Sequence, residues 1–315
     1  MRALTTFTRR TWNLDPLLTG TGLAMLTLLP FTLLGLLVDE RLVDGAPVWL
    51  KPAKFAASTG IYSLTLPWVL AALADWPRLR QGASQITAGV MVVEVGIIGV
   101  QAWRGAASHF NVSTPLDAVL FGIMGAGIAA QTIAAGAVAF ALFRQRLSDP
   151  VMATALRAGM LIAVLGASTG GLMTSPSRAQ LALASETGRM DRSGGHTVGA
   201  VDGGPGLPGI GWSREHGDLR VPHFIGLHAV QALPLLALWL RRRSPVHADR
   251  LMRVAAAAYA SVFGTALLQA LLGQPLLGPG PLVALLYGAT AVAGVAGVVM
   301  AGRPAGDAER ERRFA

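Results

Sequence analysis

Long apolar runs separated by short polar breaks occupy most of the chain. Eight are long enough, or nearly so, to cross a bilayer: Leu17–Val38, Phe55–Ala74, Ser84–Trp103, Ala118–Phe143, Ala153–Met173, His223–Leu240, Leu251–Gly273 and Leu282–Ala301. None shows the two-residue alternation of a barrel strand, and lipid offers no partner to an unpaired backbone group, so each predicts a helix. The pattern predicts an all-α, polytopic membrane bundle of about eight transmembrane helices. It forms one unit over residues 1–315, with a tail at 302–315.

Composition agrees with the pattern. At 52% hydrophobic and 14% charged, 315 residues carry too little polar surface to cover a water-soluble globule. A net charge of +9 would point to nucleic acid in a soluble protein, but here the sign follows topology. Of the 26 Arg and Lys residues, 17 fall at the breaks on one side, among them Arg9, Arg80, Arg146, Arg250 and the Arg241–Arg243 run. The positive-inside rule makes that side cytoplasmic, with both termini inside a bacterial cell membrane. The expected partners are the lipid bilayer and a small-molecule or lipid substrate, not nucleic acid. The first apolar run follows Arg2, Arg9 and Arg10, but it is long for a signal peptide and lacks a small-residue cleavage site, so a retained helix is expected. There is no cysteine, which removes disulfides, thiolate metal sites and cysteine nucleophiles.

One connection stands apart. Residues 174–222, between the fifth and sixth runs, exceed the usual length of a helix–helix link. Ser177–Met190 has helical character, whereas Gly194–Val221 is rich in Gly and Pro and also holds His196, Asp202, Trp212, Glu215, His216 and Asp218. This extracytoplasmic loop is expected to fold back as a cap over the bundle. Its Gly204-Pro205-Gly206-Leu207-Pro208-Gly209 spells a dinucleotide-type glycine motif without the strand, helix or proline-free backbone such a site needs.

Four of the six histidines, His196, His216, His223 and His228, lie in this loop or at the start of the sixth run. Histidine binds metals and carries protons near neutral pH, so the cluster marks a candidate site. His196, His216, His223, Asp202 and Asp218 are candidate metal ligands. His109 and His228 are a candidate haem pair on facing segments, because His223 and His228, five apart, lie about 140° apart round a helix and do not form an i,i+4 clamp. Polar residues inside spans are costly, which singles out Glu94 near mid-membrane, Gln101, Gln131 and the Lys54, Ser58, Tyr62, Thr65 face. Lys51 and Lys54 are the only lysines in an arginine-rich chain, and a compact ammonium has a tunable pKa. Glu94, Lys54 and Arg104 are therefore candidate catalytic residues, with Lys54 expected to pair with Glu94.

Three readings of function remain open at this point: a metal- or haem-binding membrane enzyme or redox protein with an outward-facing site, a transporter lined by Lys54, Glu94 and Gln131, and a non-catalytic assembly factor. The polar groups concentrate in the outer half of the spans, whereas a conduction path is polar from end to end. This favours the first.

Overall fold

The computed structural model describes residues 2–302, so the expected tail beyond Gly302 lies outside the described residues. The chain is a polytopic helical bundle. Helix α1 (Arg2–Leu14) precedes α2 (Pro16–Thr27) and α3 (Leu29–Val38). The short strands β1 (Leu42–Val43) and β2 (Ala46–Pro47) lead to α4 (Leu50–Leu70), α5 (Pro77–Arg104), α6 (Pro115–Arg144) and α7 (Pro150–Met173). Helix α8 (Arg178–Thr187) and strands β3 (Thr197–Val198) and β4 (Gly217–Asp218) form the long connection. Helices α9 (Arg220–Arg243), α10 (Ala248–Leu271) and α11 (Pro281–Ala301) close the described chain.

Seven spans are long and apolar enough to cross a membrane: α2 with α3, α5, α6, α7, α9, α10 and α11. The eighth expected run falls in α4. At 21 residues α4 has the length, but Lys51, Lys54, Ser58, Thr59, Tyr62 and Ser63 make it more polar than the others. It packs against α2 and α5 and buries Leu66, Val69 and Leu70 with Leu18 and Leu142. Helix α1 has no counterpart among the expected runs, because its apolar stripe is one-sided; Phe7 stacks on Trp68 and Thr11 accepts a bond from its indole at 3.0 Å.

Proline sets several helix starts. It occupies the first turn of α2, α5, α6, α7 and α11, where its missing N–H costs nothing and its fixed φ favours the helix. Asp15, Thr114 and Asp149 cap α2, α6 and α7 through side-chain oxygens. Helix α8 opens on a Ser177–Gln180 capping box.

The closest helix pair is α7 with α9. A Cβ added to Gly166 would stand 2.6 Å from the Cα of Gly226, and one added to Gly226 would stand 2.5 Å from the Cα of Gly166. Only glycine permits this approach, and it brings the Gly166 carbonyl within reach of a side chain on α9. The connections at one end of the bundle are bonded together. Arg41 donates to Trp103 O at 2.9 Å, Arg192 pairs with Asp44, and Val112 N donates to Asp191 O at 3.0 Å. Ser193 N donates to Phe110 O, Gly195 N to Met173 O, and β3 pairs antiparallel with β4.

Candidate functional site

Helix α5 ends at Gly105, whose positive φ turns the chain back, so residues 105–114 dip between the helices. The loop is held by its own side chains: the Asn111 amide donates to Ala107 O, and its oxygen accepts from Ser113 N and Oγ. Phe110 is buried at φ +61, a left-handed conformation uncommon for a bulky residue. This brings His109 Nε2 to 3.2 Å from Glu94 Oε1, although Glu94 starts ten residues back along α5, roughly 15 Å by helical rise. Glu94 is 2% exposed, and its other oxygen, Oε2, is buried without a hydrogen-bond partner among the described residues. His109 Nδ1 faces Ser108 Oγ at 3.2 Å. The ring sits among Phe55, Phe110 and Phe121, with centroids 5.7, 6.0 and 6.4 Å away. Burial pushes the His109 pKa well below the usual imidazole value, and the charge of Lys51 and the rings of His196 and His223 act in the same direction.

Lys51, not Lys54, is the cation at this site. Its ammonium lies 5.9 Å from the Phe55 ring centroid and has no hydrogen bond or ion pair among the described residues, yet its charge reaches His109 and His196. Lys54 is exposed and donates to Ile210 O at 2.8 Å, pinning the long loop. The expected Lys54–Glu94 pair does not form. Arg104 is also committed elsewhere: it pairs with Asp117 Oδ1 at 2.7 Å and bonds Gln101. Asp117 accepts further bonds from Gln101 Nε2 at 2.8 Å and Thr114 Oγ1 at 2.6 Å, so this network locks the end of α5 to the start of α6. Asp117 was not singled out from the sequence, because an Asp in a first helical turn reads as an ordinary helix-start residue.

Two further histidines face the same region with one nitrogen fixed. His196 Nδ1 lies 3.0 Å from Asp202 Oδ2, and its ring meets Phe110 edge-on at 5.0 Å. Asp202 also accepts from His196 N and Thr197 N. Burial lowers the His196 pKa, with the bond to Asp202 opposing it. Burial alone would raise the Asp202 pKa, but the bonds from His196 and Thr197 together hold it below the usual carboxylate range. His223 Nδ1 lies 2.8 Å from the Gly166 carbonyl, an acceptor only, so Nδ1 carries the proton. Both histidines thereby keep Nε2 as an open lone pair, the arrangement seen where a carboxylate or carbonyl orients a ligating imidazole.

The remaining candidates are not brought to that point. Asp218 is held by the Arg220 guanidinium at 2.7 Å and by Ser213 N. His216 N donates to Ser213 Oγ within the loop. His228 packs on Phe224, centroids 4.2 Å apart, while the ring neighbours of His109 are three phenylalanines, so the two do not face each other as a haem pair. Among the described residues no three His, Asp or Glu side chains are placed to hold a metal ion. Gln131 accepts from Thr87 Oγ1 at 2.8 Å and donates to Tyr62 OH at 3.2 Å.

Neither protein-family models, nor curated proteins, nor solved structures give a match to the chain.

Proposed function

We propose that the protein is a membrane-embedded enzyme that works by acid–base chemistry at the Glu94–His109 pair, at the outward-facing end of a bacterial cell-membrane protein. The observation that carries this reading is the buried Glu94 carboxylate, with one oxygen 3.2 Å from His109 Nε2 and the other without a partner among the described residues. A carboxylate that orients an imidazole and keeps a free oxygen can pass a proton between substrate and ring. Lys51, without a hydrogen bond or ion pair among the described residues, is available to a polar or anionic substrate group. The long loop lies over this centre and limits water, which strengthens each electrostatic contact.

The test is infrared titration of the purified protein in lipid. The carboxyl band lost in Glu94→Gln should respond to pH and move in His109→Gln and in Lys51→Met. A Glu94 band insensitive to pH and to both changes would exclude the proton-transfer role.

A second reading, a metal- or haem-bearing redox protein, is favoured by the open Nε2 atoms of His196 and His223. With two prepared imidazoles and no third donor beside them among the described residues, the bound group would bring its own remaining ligands, as a haem macrocycle does. Absorbance and elemental composition of the purified protein decide it: a Soret band or stoichiometric metal lost in His223→Ala supports this reading, and neither removes it.

A further inference from the structure

The wall between α5 and α6 is incompletely packed. Gly89, Val93 and Glu94 on α5 face Ile123 and Gly127 on α6 round a crevice of about 190 Å³. Positions 89 and 93, and positions 123 and 127, are each one helical turn apart, so two facing ladders make the walls. Nothing lies within 4 Å of a Cβ added at Gly89. At the rim Val93 is 46% and Ile123 47% exposed, on helices of membrane-span length, so the crevice opens sideways to the bilayer. Glu94 is the only charged residue of its lining, and Glu94 Oε2 is a buried atom without a hydrogen-bond partner among the described residues.

We propose that this crevice is a lateral entrance for an apolar molecule ending in a hydroxyl group, which donates a hydrogen bond to Glu94 Oε2. The inference rests on Glu94–His109 as the working pair and names the substrate class. The walls offer only apolar contact, so the body of the ligand is apolar. The free carboxylate oxygen lacks a donor, so the head group carries one. An ammonium head would cross the hydrocarbon at high cost, and a carboxylate head would meet Glu94 as a like charge. A neutral hydroxyl satisfies both conditions.

The probe is a farnesol analogue carrying a photoreactive diazirine, added to the full-length protein in phosphatidylcholine nanodiscs. Labelling should fall on the peptides that contain Gly89–Glu94 and Ile123–Gly127. Farnesol should compete about tenfold better than its methyl ether, which keeps the chain and loses the donor, as expected for a hydrogen bond to a charged acceptor. Gly89→Leu, which adds bulk where there is room, should cut labelling about tenfold, and Glu94→Met should abolish the preference for farnesol over the ether. Equal competition by the ether, in wild type, would mean that the crevice holds only lipid chains and overturns the proposal. Labelling that depends on Glu94 but survives Gly89→Leu would overturn the entrance while leaving the acid–base pair standing. Discrimination that survives Glu94→Met would overturn the assigned head-group contact, whereas the acid–base reading falls only if the infrared titration also fails.

Discussion

His109 Nε2 and Glu94 Oε1 meet at 3.2 Å because the loop after α5 re-enters the bundle, carrying an imidazole to a carboxylate roughly three helical turns below the helix end. Their interaction is measurable by a double-mutant cycle. Glu94→Gln and His109→Gln should each lower stability, and the double change should fall short of the sum by about 1–2 kcal/mol, as for contacting groups in one network. Additive losses in thermal unfolding would show that the two side chains do not interact.

The two lysines separate site from scaffold. Lys54→Met removes the bond to Ile210 O and should cost about 1 kcal/mol or less, seen as faster protease cleavage near Gly206 with the Glu94 infrared band unmoved. Lys51→Met should leave cleavage unchanged and move that band. The reverse pattern would restore Lys54 to the site.

Arg104 acts on stability rather than chemistry. Arg104→Met leaves Asp117 with Thr114 and Gln101 but without its counter-charge, and Asp117 is 3% exposed. Thermal unfolding should show a loss of about 1–3 kcal/mol, reduced in the Arg104→Met, Asp117→Asn double variant, because a lone buried charge costs more than an absent pair. A double variant no more stable than the single one would count against the pair.

Acid should loosen the loop-rich end. The folded-state pKa values of His109 and His196 lie below the ordinary 6.5, so the unfolded state binds more protons as pH falls. The stability these neutral histidines contribute is complete above pH 6.5 and is lost as pH falls through their folded values. The depressed Asp202 pKa adds a loss of the same sign below its ordinary 3.8. Between about pH 7 and 5 the melting temperature of the wild type should fall relative to that of His109→Gln. A pH dependence unchanged in His109→Gln would contradict the buried, neutral assignment of His109.

Orientation is expected to follow the arginines. Reporters fused after Arg80, Arg146 and Arg250 should be cytoplasmic, and those after Asp44, Asn111 and Gly204 external. A cytoplasmic reporter at Gly204 would place the site on the other side of the membrane.

The helical spans and the isolation of Glu94 within an apolar run were legible in the sequence, because they rest on local properties: helical period and the cost of a charge in lipid. The histidine cluster was legible as composition, but its roles were not. Which ring nitrogen stays open depends on the Gly166 carbonyl and the Asp202 carboxylate, brought from 57 and 6 residues away. Lys51 and Lys54 are three apart, about 60° round the helix from each other, so only the placement of α5 and of the re-entrant loop decides which faces Glu94. That loop has no periodic signature, and its left-handed Phe110 is fixed by tertiary bonds such as Ser193 N to Phe110 O. The sequence determined which groups are buried at a cost, and the tertiary structure decided which of them meet, because meeting depends on the approach of helices and loops that no local pattern encodes.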